Sequence, residues 1–248
     1  MVDLGNDTDQ IAIAGFTNLG NFAVEGEPLG VMLGSRIQRN DDGEREVNSI
    51  GRYIEEEGTF KIGDPIPDFT LNVSSTLNYK NFTLSAVFNY VQGGDIYSRT
   101  VSTLLGRGLT TDTEDRTQTF ILEGVKNTGT AENPVYVEND LQINNSSFYF
   151  SNVLFGPDEL GVFDGTTVRL QELSLSYSLP KAILDKTPFG SVKFTASGFN
   201  LWFDAVNMPD GTNFDPNVAG LGVGNGQGFD YLNGPSSRRY GGSIQLTF

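Results

Sequence analysis

The sequence predicts an all-β fold, about seven strands of an antiparallel transmembrane β-barrel carrying long loops. Three observations lead there. Phe69, Leu71, Val73, Ser75, Leu77 and Tyr79 alternate with Thr70, Asn72, Ser74, Thr76 and Asn78. After Lys80-Asn81, the residues Phe82, Leu84, Ala86, Phe88 and Tyr90 repeat the apolar set. A period of two over both runs is a β-hairpin. Length is the second observation. Phe69 to Tyr79 is ten rises of roughly 3.4 Å, about 34 Å, which a tilt of about 45° reduces to about 24 Å. Membrane barrels carry an apolar band about 25 Å tall with aromatic residues at both rims, and strands of soluble sheets are commonly about 5–6 residues long. Charge is the third. Between Phe69 and Gly94 the only charged residue is Lys80, at the turn. Aliphatic side chains are therefore expected to face lipid, and Asn, Ser and Thr to face a polar interior.

Composition narrows the function classes. The 248 residues include 30 Gly and 18 Phe, but no Cys and no His. Disulfides, thiolate catalysis, Ser-His-Asp triads and Cys or His metal ligands are all excluded. No acid/base pair stands out among the scattered carboxylates, so no enzyme, metal or cofactor is expected. The net charge of −15 argues against a nucleic-acid partner. About three quarters of the acidic residues lie in 39–68, 94–165 and 204–237, apart from the strands. No run of eighteen apolar residues suits a transmembrane helix, which does not bear on barrel strands. Met1-Val2-Asp3-Leu4 lacks the basic start and apolar core of a signal peptide. The chain is therefore expected to be the C-terminal part of something longer.

The elements follow in order. Residues 10–17 and 31–37 are strand candidates, separated by Gly26-Glu27-Pro28-Leu29-Gly30. Asn40-Asp41-Asp42-Gly43 is a turn, and the run Glu55-Glu56-Glu57 reads as a solvated loop face. Pro65 and Pro67 exclude a central strand before the hairpin. The connection 94–165 is far longer than an ordinary loop. It holds a short helix candidate at 99–105 and apolar islands at 135–137 and 148–150 that pack it on itself. In 167–179 the apolar parity switches at Gln171-Glu172, as a β-bulge would require, and Pro180 ends the strand. Residues 191–203 form the next strand, with a parity shift near Gly198. The loop 204–237 contains an oxygen-rich stretch, Asp210 to Asn217, whose spacing does not fit a calcium loop. Tyr240, Gly242, Ile244, Leu246 and Phe248 alternate to the end, which places Phe248 in a strand. The turns at 80–81 and 180–190 lie on one side and the long loops on the other, as periplasmic turns and extracellular loops do in barrels. Seven strands leave an open edge, so the sheet is expected to be incomplete.

Several stretches in order resemble SusC/RagA-like TonB-dependent transporters. They are 62–69 (IGDPIPDF), 79–82 (YKNF), 92–97 (QGGDIY), 168–180 (VRLQELSLSYSLP), 198–201 (GFNL), 213–216 (NFDP) and 235–248, with 26–30 (GEPLG) upstream. The resemblance covers most of the chain and the C-terminal barrel region of a family member. It implies an outer-membrane location in Bacteroidota and TonB-driven import of a glycan or peptide. It also implies a SusD-type surface lipoprotein as partner. TonB itself would act through an N-terminal plug that has no counterpart in 1–248. Tyr240, Gly242, Ile244, Leu246 and Phe248 would then be the signal for the barrel-assembly machinery. Capture is expected at loops 94–165 and 204–237, where Trp202, Phe203, Phe229 and Tyr231 are candidates to stack on substrate. For each, the plainer reading is an interfacial or packing aromatic. Arg238 and Arg239 are expected to anchor the strand end at lipid headgroups. A small self-contained outer-membrane barrel and a soluble β-sandwich carbohydrate-binding module are the alternatives. The second would need charged residues on the exposed strand faces.

Overall fold

A computed structural model describes residues 1–5, 8–220 and 226–248. Chain order runs through β1 (Gln10–Gly15), β2 (Gly20–Val24), β3 (Val31–Gly34), β4 (Phe60–Gly63), β5 (Pro67–Tyr79), β6 (Phe82–Gly93), β7 (Asp95–Ser98) and helix α1 (Arg99–Gly106). The three-residue strands β8 (Thr119–Ile121), β9 (Val125–Asn127), β10 (Tyr136–Glu138), β11 (Gln142–Asn144) and β12 (Val162–Asp164) follow. Then come β13 (Thr167–Ser178), β14 (Ser191–Ala205), β15 (Phe229–Asp230) and β16 (Arg239–Thr247). The chain divides into two compact units. One comprises 1–67, 93–165 and 207–234; the other comprises 68–92, 166–206 and 235–248.

The first unit is built from the stretches that carry most of the charge. Its largest sheet has the order β1-β2-β3-β4, and β7 lies between β12 and β15 in another. Strand β3 is buried along its whole length, as its unalternating Val31-Met32-Leu33 requires. Leu19, Met32, Tyr97 and Phe229 form one core cluster, and Val47, Leu122 and Ile143 another. The islands at 135–137 and 148–150 do pack the long connection. β10 pairs with β9, and Phe148 meets Phe120 edge-on at 5.3 Å. Buried polar side chains tie the segments together. Asn21 donates to the Gly30 and Gln227 carbonyls and accepts from the Gln227 amide. Asp230, fully buried, accepts from Ser98 Oγ at 2.7 Å, from the Thr100 amide and from the Asn233 amide.

The second unit is a single antiparallel sheet in the order β16-β14-β13-β6-β5. The expected hairpin is present, with Lys80 in the left-handed region at its turn (φ 53°). The parity switch at Gln171-Glu172 is a bulge, because the pairing of β13 with both neighbours slips between Leu170 and Glu172. The second shift is centred on Asn200, also left-handed (φ 54°). Two expectations need correction. Five strands, not seven, make the long sheet. Residues 10–15 and 31–34 join the small sheet of the first unit, because they are too short and, in β3, too evenly apolar to alternate between two media. The last strand ends at Thr247, and Phe248 instead packs its ring on Phe189 at 5.2 Å.

Candidate solute-facing surface

The register of the long sheet sorts its side chains onto two faces. Tyr177 pairs with Phe82 and Phe194, and Phe194 pairs with Ile244. Leu175 pairs with Leu84 and Ala196, and Leu170 with Phe88 and Trp202. These residues form one apolar face. Its side chains are exposed among the described residues: Phe69, Leu71, Val73 and Leu175 are about half exposed, and Leu77 more so. The opposite face is polar, and over β5 and β6 its paired side chains are neutral hydroxyls and amides. Asn78 accepts from Thr83 Oγ1 at 2.7 Å, Thr76 and Ser85 share a hydrogen bond, and Asn89 donates to Asn72. Ser176 and Thr195 continue it on the other strands. In water such a sheet would invert, with charge outside and apolar residues covered.

The bulge decides what stands at one end of the polar face. Asn200 Nδ2 donates to the Ser237 carbonyl, and Asn200 Oδ1 accepts from Arg169. Arg169 is 3% exposed, with its guanidinium over the Phe203 ring. One row further along, Glu172 pairs with Phe199, and Phe199 with Arg239. The Arg239 guanidinium lies 5.4 Å from the Phe199 ring centre. Two arginine–phenylalanine stacks thus sit side by side, a favourable cation–π arrangement.

The four candidate aromatics separate. Phe203 is on the polar face. Trp202 is on the apolar face, opposite Leu170. Phe229 lies in the core of the first unit. It is fully buried and packs on Tyr97 at 5.2 Å, so no ring face is open to a ligand. Tyr231 is 44% exposed and tilts against Phe16. Arg239, expected at a headgroup, is placed by its register on the face opposite Tyr240, over the Phe199 ring. Sequence reasoning missed Phe199 and Glu172 because the parity switches mark where the faces reset but not which residues the bulges bring into one row.

In the first unit, an open cleft of about 970 Å³ is lined by Asp42, Glu44, Arg45, Glu123, Tyr136 and Glu138 among others. Beneath it Tyr136 donates to Glu46 Oε1 at 3.1 Å, and burial together with that carboxylate raises the tyrosine pKa. The cleft is acidic and repels anions. In the stretch from Asp210 to Asn217, Asp215 is buried and accepts from the Asn217 amide, capping a short turn. Among the described residues no group of three or more acidic side chains is arranged to hold a metal.

No family model matches the chain. TonB-dependent receptor P3 of Formosa agariphila is 29% identical over 221 residues, 87% of this chain and 19% of that receptor. TonB-dependent receptor P26 of the same organism is 25% identical over 97% of this chain and 24% of its own length. Among solved structures, the RagAB peptide importer matches in its open-open state with a TM-score of 0.55 at 14% identity, over 99% of this chain and 25% of that one. The closed-closed state gives 0.54 at 15% identity. At such identity the structural likeness concerns fold alone. The chain spans about a fifth to a quarter of the length of these relatives. Its sequence is similar to TonB-dependent receptors and its fold to part of the RagAB importer, in agreement with the SusC/RagA-like resemblance of its motifs.

Proposed function

We propose that the chain is the C-terminal barrel portion of an outer-membrane, TonB-dependent importer, not an enzyme. The observation that carries this is the long sheet with one exposed apolar face and one polar face, whose hairpin strands β5 and β6 carry only neutral groups between Phe69 and Tyr79 and between Phe82 and Gly93. Lipid against the first face removes its exposed surface from water, at roughly 25 cal/mol per Å². The second face would then line a lumen. Its free edges, β5 and β16, would pair with strands of the same barrel, since unpaired backbone is not tolerated in lipid. Similarity to TonB-dependent receptors supports the outer-membrane location and TonB as partner. The resemblance adds a SusD-like surface lipoprotein and the barrel-assembly machinery, the latter reading β16 through Tyr240, Gly242, Ile244, Leu246 and Phe248. Loops 94–165 and 204–237 would receive an oligosaccharide or peptide, with Phe203 and Tyr231 as the aromatic contacts still open. The acidic cleft disfavours a strongly anionic solute. A soluble β-sandwich is disfavoured by the hairpin of β5 and β6, where Lys80 at the turn is the only charge between Phe69 and Gly94.

An immunoblot against the last strand tests this. The expected result is heat-modifiable mobility in the outer-membrane fraction, with a band several times larger than 27.0 kDa. A band near that mass in the outer membrane would support the small-barrel alternative. A band of that size in the soluble fraction would overturn the membrane reading.

A further inference from the structure

We infer that Arg239, Phe199 and Glu172 form a contact subsite for a short oligomeric solute with an anionic end and a cationic end. The inference rests on the polar face being the solute-facing one. The three residues lie in one row across β16, β14 and β13. Phe199 is in the middle, with an arginine on one side and a glutamate on the other. Two neighbouring strand spacings separate Arg239 from Glu172, about 10 Å between Cα atoms. Arg239 is exposed and stacked on Phe199. Among the described residues neither its guanidinium nor the Glu172 carboxylate has an ion-pair or hydrogen-bond partner. The neighbouring row differs. There Arg169 is buried and bonded to Asn200, and acts as framework.

The spacing selects a ligand class. An arginine fork binds a carboxylate through paired charge-assisted hydrogen bonds. A glutamate attracts an ammonium, and the ring between them offers an apolar floor. An extended three-residue peptide is about 10 Å long end to end, on the scale of the distance between the two strands that carry Arg239 and Glu172. A neutral glycan would meet the ring but leave both charges unpaired.

The test uses the native protein extracted from membranes in detergent and isothermal titration with four probes: trialanine, trialanine amide, N-acetyl-trialanine and maltotriose. Trialanine is expected to bind most tightly. Arg239→Ala should weaken trialanine about ten-fold and leave its amide unchanged, whereas Arg239→Lys should retain part of the affinity. Glu172→Gln should weaken trialanine and leave the N-acetyl form unchanged. Unaltered heat-modifiable mobility of each variant shows that the barrel still forms. Equal binding of trialanine and its amide overturns the subsite. So does an equal effect of Arg239→Ala on both, or binding of maltotriose in place of peptide, or no binding of any probe. In each of these cases import stands so long as the protein fractionates with the outer membrane; a soluble protein overturns the import reading itself.

Discussion

Phe69 and Phe229 are the same side chain in the same chain, yet the first is 52% exposed and the second is fully buried. The difference runs through everything around them. The unit that holds Phe229 follows the rules of water: apolar clusters inside, acidic residues outside, and buried Asn and Asp satisfied by hydrogen bonds. The unit that holds Phe69 turns large apolar residues outward on one face and keeps hydroxyls and amides on the other. One sequence thus builds two kinds of surface, and the contrast can be broken or sharpened residue by residue.

The largest effect is expected at Phe229. Phe229→Ala removes the ring that Tyr97, Met32 and Leu19 pack against and should cost about 3–5 kcal/mol in the first unit. Hydrogen exchange of the 95–98 and 229–230 amides would read it as lost protection, with the long sheet unaffected. Next is the apolar face. Val73→Arg lies at the middle of β5. It should cost about 2–4 kcal/mol if that face meets lipid, but stay within about 0.5 kcal/mol if it meets water. Unfolding in lipid vesicles separates the two. Ser74→Lys, on the other face of β5, is the control and should change little. A near-zero result for Val73→Arg would remove the contrast altogether.

These two positions also show what the sequence made legible. Around Phe69 the signal is local. Alternation, strand length and missing charge are all readable within residues 69–92, and the hairpin appears where they place it. Phe229 is different. Its neighbours in sequence are Gly and Asp, and its burial comes from a two-residue parallel pairing with β7, more than a hundred residues away. No window around 229 contains that partner. Trp202 shows a third case. The strand at 191–203 was readable, but the face of each residue past Gly198 depends on how many residues the bulge inserts. A slip of one residue moves a side chain to the other face. The sequence showed that a shift occurs, not its size, so it left the face of Trp202 open.

A smaller effect is expected where a buried polar group serves as a clamp. Asp230→Ala leaves Ser98 Oγ and the Thr100 and Asn233 amides without their acceptor, at a cost of about 1–3 kcal/mol. Thermal unfolding monitored at the aromatic core should show it, while Asp210→Ala, on an exposed loop, should not. Equal losses would mean that the buried carboxylate is no more than surface charge.

The finest test uses pH, and its sign follows from Asp95. Burial raises the Asp95 pKa above the ordinary 3.8, and the nearby carboxylates of Asp164 and Asp64 raise it further, against the opposing hydrogen bond from the Asp64 amide and the attraction of Lys61. Asp164 is its direct cross-strand partner on β12, and like charges placed opposite each other are destabilising. A raised folded pKa means that the folded unit takes up this proton before the unfolded chain does. The favourable contribution is therefore fully present below the unfolded value of about 3.9 and is lost as pH rises through the folded pKa. At neutral pH the cost of the ionised group is complete. Asp95→Asn keeps an acceptor for the Asp64 amide and removes the charge. It should raise the unfolding temperature of the first unit at pH 7, with the gain shrinking as pH falls through the raised folded pKa and absent below the unfolded value of about 3.9. A gain that persists unchanged below that value would mean that the carboxylate charge is not the cause, and that burial in this unit carries no electrostatic cost at β7.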